Sequence, residues 1–138
     1  MNTMSATSAI SPILYADLQP GSHMGTHTDV YDQAMSDRWR SIFAGEPSSA
    51  AEQASMSLVL AMRALLSIVA PRPPGNVHGR QKMTSHALPR LGENVRSEVM
   101  CLRKEIKRER MYVDFAVKGR GEDERILYEA QMSLIWAA

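Results

Sequence analysis

The sequence has little of what marks the more specialised classes of protein. It contains one cysteine, Cys101, so no disulfide can form within the chain, and we expect a reducing, cytoplasmic setting. Sixteen Lys and Arg residues against fifteen Asp and Glu give a formal net charge of +1. This near balance of positive and negative charges argues against binding to nucleic acid through bulk charge. The first eleven residues carry neither a basic segment nor an apolar run, so no secretory signal is predicted.

Long apolar runs are also missing. The longest such stretch, residues 56–69, is interrupted by Arg63 and is too short to span a bilayer, so no membrane span is expected. Residues 1–11 are small and polar and are predicted to form a disordered tail. Residues 12–138 are predicted to form one domain, since the chain is too short for two ordinary ones.

Two helices are predicted in the first half of the chain. The first begins near Asp32 or Ser36 and stops at Gly45, and four apolar residues share one of its faces: Met35, Trp39, Ile42 and Phe43. The second spans about residues 50–69, with Ser48 or Ser49 as its N-cap and Glu52 as a possible capping-box partner. Its apolar residues point in almost every direction, which is typical of a buried helix.

Strand patterns surround these helices. A Thr-rich segment, residues 23–31, precedes the first helix, and the proline-rich residues 71–75 end the second. Alternating segments then follow at residues 77–81, 95–103, 112–117 and 126–136. Residues 88–93 and 119–123 are predicted turns, and residues 104–110 a charged connection. This order predicts an α+β protein in which an antiparallel sheet wraps around one long buried helix, the single hot-dog fold.

The same elements resemble the MaoC-like branch of the hot-dog superfamily, which contains (R)-specific enoyl-CoA hydratases and dehydratases. The resemblance covers about residues 13–138 and rests on the order and spacing of four segments: residues 14–21, 39–45, 77–81 and 88–93. It implies an acyl thioester, carried by coenzyme A or a carrier protein, as the substrate. It implies no cofactor beyond that thioester.

The chain departs from the family at its catalytic motif. Family members place an Asp just after a Gly and a His five residues later, and this pair activates water for addition to the enoyl double bond. Here the corresponding residues are 45–51. Glu46 stands where the Asp belongs, no His follows, and position 51 is Ala. In two-domain members one half has lost the pair and shapes the acyl tunnel, and this chain resembles that half.

Four residues remain as candidates for catalysis. Glu46 is a possible acid or base, and Glu52 lies near the place where some hot-dog thioesterases carry a catalytic carboxylate, although a helix cap is its simpler role. His78 and His86 are eight residues apart and would share one face of a regular strand, as substitute bases or polar edge residues. Ser48 and Ser49 lack an evident base and are interpreted as caps.

The predicted substrate-binding set comprises His78, Gly79, Arg80, Met56 and Arg108. Arg108 belongs to a basic run over residues 103–110 that would meet the phosphates of coenzyme A or an acidic carrier, or would simply be a solvated hairpin end. His23 and His27 would also share a strand face, but no third ligand is nearby and no metal is predicted.

These observations predict a dimer, because a lone hot dog leaves a sheet edge unpaired and the acyl tunnel in this family forms between two halves. The partner would be a second copy or a MaoC-like subunit that carries the intact Asp and His. The leading hypothesis is a hydratase/dehydratase-type protein that shapes the substrate tunnel. The alternative is a self-sufficient homodimeric lyase or thioesterase, and a third hypothesis is a hot dog recruited by a specialised pathway for a bulky apolar substrate.

Overall fold

The computed structural model describes residues 11–138. The predicted disordered tail, residues 1–11, lies outside this part of the chain except for Ser11. Within these residues two α-helices and five strands follow in order: β1 His23–Val30, α1 Gln33–Ile42, α2 Ala50–Ile68, β2 Val77–Ser85, β3 Asn94–Lys107, β4 Arg110–Arg120 and β5 Ile126–Trp136. Local signals set both helix starts as expected. Asp32 caps α1 by accepting from the Met35 N–H at 2.9 Å, and Ser49 caps α2 by accepting from the Glu52 N–H at 3.2 Å.

The five strands form one antiparallel sheet in the order β1-β3-β4-β5-β2. The long helix α2 contacts all five strands, so the sheet wraps around it. The core between them contains side chains that alternate along β3, β4 and β5, among them Val99, Phe115, Met132 and Trp136. The predicted α+β hot-dog arrangement is therefore confirmed.

Within one chain α2 is buried on only part of its circumference. Leu60 and Leu65 are 1% and 2% exposed and pack against the sheet. Leu58 and Leu66, in contrast, are 38% and 43% exposed, and Met62 between them is half-buried. The expectation that this helix is buried all round is thus wrong for the stripe formed by residues 58, 62 and 66, since the five strands cover one side only.

Strands β3 and β4 are longer than predicted. The charged residues 104–107 continue β3 and pair with β4, from Lys104 opposite Val113 to Lys107 opposite Arg110. They do not form a separate connection: Glu105 and Lys107 lie on the outer face of the sheet, while Lys104, on the other face, donates to the Tyr15 carbonyl at 2.9 Å. The two residues left to turn the chain, Arg108 and Glu109, both have left-handed backbone angles, with φ of 52° and 65°.

A buried ion pair holds the turn before β3 against the turn before β5. The Glu93 carboxylate is 2% exposed and accepts from the Arg90 N–H at 2.9 Å, the Glu122 N–H at 2.8 Å and Arg125 Nη1 at 2.9 Å. Gly121 is required here, because a Cβ at that position would lie 2.1 Å from Glu93 Oε2. The predicted turn at residues 88–93 is confirmed, whereas the one predicted at 119–123 lies at residues 121–125, because Gly119 and Arg120 still pair with β5. The Glu93 contacts fix one turn relative to the other.

No helix among residues 11–138 is long and apolar enough to cross a membrane.

Candidate functional site

The loop between α1 and α2, residues 43–49, is short and carries no imidazole. Glu46 lies on this loop with an exposed side chain, and its carboxylate forms no hydrogen bond or ion pair with another described residue. The next carboxylate along the chain, Glu52, is fully buried one turn into α2. The structure therefore places the two acidic candidates in opposite environments.

Glu52 is held by three neighbouring groups. Its Oε2 accepts a hydrogen bond from the Tyr31 hydroxyl, its Oε1 accepts from the Ser48 N–H at 3.3 Å, and Arg40 Nε lies 3.9 Å from Oε1. Burial, followed by the hydrogen bond to Glu52, raises the pKa of Tyr31 to about 12. The Tyr31 hydroxyl therefore stays protonated near neutral pH. These contacts are those of a structural carboxylate that ties the end of β1 to the start of α2.

An apolar groove lies beside this network, between α1 and α2. We call it the helix groove; it has a volume of ≈ 210 Å³ and is lined by Met35, Arg38, Trp39, Ile42, Phe43, Met56, Val59 and Arg63. The predicted apolar face of α1 forms one wall, with the Trp39 and Phe43 rings 5.1 Å apart. Ile42 and Phe43 are nevertheless exposed at its lip. At this volume the groove is smaller than the ~300–1,000 Å³ of complete ligand sites.

An imidazole on β1 is linked to the helix groove through a carboxylate and an arginine. His27 Nε2 lies 3.6 Å from Asp29 Oδ2, and the same carboxylate oxygen lies 2.8 Å from Nε of Arg63, which lines the groove. No local pattern indicates this arrangement, because Arg63 is on a different element and its pairing with Asp29 depends on how α2 crosses β1. His27 is thus the histidine that the structure connects to the groove.

Two β-bulges overturn the predicted grouping of histidines. Pairing shifts between His78 and Arg80, so that His78 is opposite Leu134 while Arg80 is opposite Ser133. The extra residue moves His78 to the helix side of the sheet and leaves His86, just beyond β2, on the outer side. His86 Nε2 there contacts Glu129 Oε2 at 2.8 Å, and both side chains are largely exposed.

A similar shift between His23 and Gly25 separates the other pair. His23 is opposite Met100, whereas His27 is opposite the buried Ser97, so the two rings lie on opposite faces of β1. The prediction that each histidine pair shares a face is therefore wrong. Within the described residues no group of three or more His, Cys, Asp or Glu side chains is arranged to hold a metal ion.

The predicted substrate-binding residues are also divided between two places. Gly79, Arg80 and Arg108 line one groove on the outer face of the sheet, whereas Met56 lines the helix groove on the other face. Cys101 is fully buried in β3, and burial raises the pKa of its thiol, in agreement with its interpretation as a small core residue.

Comparisons with known proteins give the fold a context. No protein-family model matches the sequence, and no curated protein matches it. Solved structures do match, at low sequence identity. A MaoC-like dehydratase from Rhodospirillum rubrum superposes with a TM-score of 0.70 at 12% identity, over 89% of this chain and 96% of that chain.

Two further matches are hydratase and dehydratase structures. The (R)-hydratase PhaJ1 from Pseudomonas aeruginosa has a TM-score of 0.67 at 14% identity, over 91% of this chain and 86% of that one. The HadBC (3R-hydroxyacyl-ACP dehydratase) complex from Mycobacterium tuberculosis has a TM-score of 0.61 at 14% identity, over 79% and 90%. This chain therefore has the hot-dog fold, in the form found in MaoC-like dehydratases and (R)-hydratases.

Proposed function

We propose that this chain is the substrate-shaping, non-catalytic half of a hydratase/dehydratase-type hot-dog assembly that acts on acyl thioesters. The observation that carries the proposal is the loop over residues 43–49. It presents no imidazole, its acid Glu46 points into solvent, and the buried acid Glu52 has both oxygens engaged. Addition of water to an enoyl thioester needs a positioned group that exchanges a proton near neutral pH, and these residues supply none.

The size of the helix groove supports a two-half site. Its ≈ 210 Å³ gives room for part of an acyl chain, and a second hot dog placed against its open side would complete an enclosed pocket. Met35, Met56 and Trp39 offer it an adaptable apolar wall. We propose that the acyl chain of the thioester lies there.

Two exposed features support assembly with a partner. The stripe of residues 58, 62 and 66 on α2 is apolar and partly open to solvent, and β2 is an edge strand that pairs only with β5 among the described strands. The HadBC dehydratase among the similar structures is itself a complex. We propose that the partner is a hot-dog subunit that carries the Asp and His missing here; the homodimer is the other possible assembly.

The test is a hydration assay with crotonyl-CoA. We expect the purified chain alone to hydrate it very poorly, and turnover to appear on addition of a hot-dog subunit with the intact Asp and His. An (R)-hydratase in the same assay serves as the positive control. Glu46→Gln in this chain should change the rate of the mixture only modestly, because its carboxylate is exposed and the partner carries the chemistry.

The second candidate is a self-sufficient lyase, and the approach of His27 to Asp29, whose carboxylate contacts the groove residue Arg63, favours it. Robust hydration by the lone chain that is abolished by His27→Ala, His78→Ala or His86→Ala would support this candidate and contradict the proposal above. A thioesterase based on Glu52 is not favoured, because that carboxylate is fully buried against Tyr31.

A further inference from the structure

A second concave site lies on the face of the sheet that points away from α2. We call it the outer-face groove; it has a volume of ≈ 770 Å³ and is lined by Gly79, Arg80, Arg103, Glu105, Lys107, Arg108, Tyr112, Asp114, Gln131, Ser133 and Ile135. Strands β2, β3, β4 and β5 all contribute to it. Its volume is within the ~300–1,000 Å³ that small-molecule sites occupy. Since the helix groove is on the other side of the sheet, the two sites are separate.

The outer-face groove carries an excess of positive charge. Four cationic side chains line it against two carboxylates, Glu105 and Asp114. Among residues 11–138, Arg80, Lys107 and Arg108 form no ion pair with any carboxylate. Residues 1–10 contain no Asp or Glu that could supply one. Cations gathered around a concavity without counter-charges favour an anionic ligand.

Arg103 is the groove cation that is paired with a largely buried carboxylate. Its Nε donates to Asp114 Oδ2 at 2.5 Å, and Asp114 is only 9% exposed, between the core residues Val113 and Phe115 of β4. The two terminal amino groups of Arg103 have no hydrogen-bond partner among the described residues. An arginine oriented through Nε presents these amino groups as a fork, which is the geometry that binds two oxygens of a phosphate.

The floor of the groove is less polar than its rim. Tyr112 and Ile135 are half-buried there, and the Gln131 amide and Ser133 hydroxyl lie on β5 beside them. An aromatic ring next to amide and hydroxyl groups suits a planar, hydrogen-bonding group, and the surrounding cations suit the phosphates attached to it. A bare inorganic anion would leave this floor unused.

We propose that the outer-face groove binds a phosphate ester of nucleotide size. Arg103 and Arg80 hold the phosphates, Lys107 and Arg108 add charge from the β3–β4 hairpin, and the planar group lies over Tyr112. Two sources share this chemistry, a free adenine nucleotide and the adenosine-phosphate end of coenzyme A. The site is independent of the acyl-binding function proposed above, because it lies on the face of the sheet opposite the helix groove.

Titration calorimetry on the full chain with ADP, coenzyme A and pyrophosphate tests this proposal. We expect ADP and coenzyme A to bind, and pyrophosphate to bind at least several-fold more weakly, because it lacks the planar group. Arg103→Gln and Arg80→Gln should each weaken nucleotide binding about tenfold or more, the usual effect of losing a charge-assisted hydrogen bond. Asp114→Asn should weaken the binding of ADP and of pyrophosphate by the same, smaller factor, since Asp114 positions Arg103, which contacts the phosphates that both ligands carry.

Arg96→Gln is the matched control. Arg96 is also on β3, but both Glu124 oxygens accept from its Nη2 at 2.8 Å and it is not part of the groove lining. Its substitution should change nucleotide affinity less than twofold. If Asp114→Asn fails to fold, Arg80→Gln on the exposed edge strand still tests the site, and a thermal melt verifies that each variant is folded.

Binding of ADP and coenzyme A with equal affinity would identify the nucleotide portion as the recognised part, and tighter binding of coenzyme A would identify that cofactor as the source.

Three results would overturn the proposal. The first is an absence of binding by either ligand at millimolar concentration, even if an acidic peptide such as poly-glutamate binds. The second is an equal loss of affinity in Arg96→Gln, and the third is coenzyme A binding that depends on Arg38 and not on Arg103.

Discussion

The two faces of α2 both carry leucine side chains, but one face is buried and the other is exposed. Leu60 is 1% exposed against the sheet, while Leu58, two positions earlier, is 38% exposed on the other side of the helix. The difference in exposure arises because the five strands pack against one side of the helix and no described strand covers the other side. One apolar face therefore folds this chain, and the other is available to a second chain.

The largest effect should come from a charge on the sheet-facing side. Leu60→Asp places a carboxylate without a partner in the core, and we expect it to unfold the domain or to cost about 4 kcal/mol or more. Leu58→Asp is the matched control and should change the free energy of unfolding by about 0.5 kcal/mol or less in the monomer. Urea denaturation followed by circular dichroism measures both. A normal unfolding midpoint for Leu60→Asp would mean that this face is not the core.

The second test concerns the exposed side. Leu58→Asp combined with Leu66→Asp should leave the domain folded and prevent assembly, because burying two unpaired carboxylates in an interface costs several kcal/mol. Sedimentation at micromolar concentration should then give the 15.4 kDa monomer for the variant and a larger species for the wild type. A wild-type chain that is itself monomeric, with and without the catalytic partner, would remove the basis for the assembly proposal.

A smaller loss of stability should come from breaking the hydrogen bond between Tyr31 and Glu52 at the start of α2. Tyr31→Phe removes the hydroxyl that donates to Glu52 and leaves a buried carboxylate oxygen unpaired, so we expect a loss of about 1–3 kcal/mol at neutral pH. Folding raises the pKa of Tyr31 from 10.0 to about 12, so the fold favours the protonated hydroxyl. The stability that the fold gains from the protonated Tyr31 hydroxyl is complete below pH 10 and is lost as the pH rises from 10 to 12.

The free energy of unfolding at a series of pH values provides the measurement for Tyr31→Phe. The advantage of the wild type over the variant should be constant up to pH 10 and should shrink between pH 10 and 12. Tyr128 has a similarly raised pKa, but it is present in both proteins and its effect cancels. An advantage that stays constant through pH 12 would mean that Tyr31 ionises as readily in the folded as in the unfolded chain.

The smallest effect should come from the N-cap. Ser49→Ala removes the acceptor for the Glu52 N–H and should cost about 1 kcal/mol. Ser67→Ala, on the exposed surface near the other end of α2, is the control and should be neutral or slightly stabilising, since Ala has the higher helix propensity. Equal unfolding midpoints for the two variants would contradict the role of Ser49 as a cap.

Sequence patterns predicted the elements of this fold well because the signals are local. Asp32 and Ser49 cap helices through residues only three positions away, and alternation along β4 and β5 directly reports which side chains face the core. The order of these elements was enough to indicate a sheet wrapped around a helix. The shortened loop without a histidine was equally visible from the residues alone.

The site could be predicted only in part, since its contacts join distant residues and depend on small irregularities. Tyr31 meets Glu52 across 21 positions, and Arg63 meets Asp29 across different elements. A single extra residue between His78 and Arg80 moves the two side chains to opposite faces of the sheet. The pattern of polar and apolar residues along β2 does not predict that bulge. The same irregularity placed Arg80 in a groove that its neighbour His78 does not line.

The tight turn between β3 and β4 has a consequence for engineering this protein. Arg108 and Glu109 occupy two left-handed positions where Asn-Gly is the favoured pair, because bulky side chains pay a steric cost there. A hairpin optimised for stability alone would carry Asn-Gly and would lose one cation from the rim of the outer-face groove. Replacing the turn in this way should give a more thermostable scaffold and weaken the anion binding proposed for that groove, so stability and the proposed recognition oppose each other at these two residues.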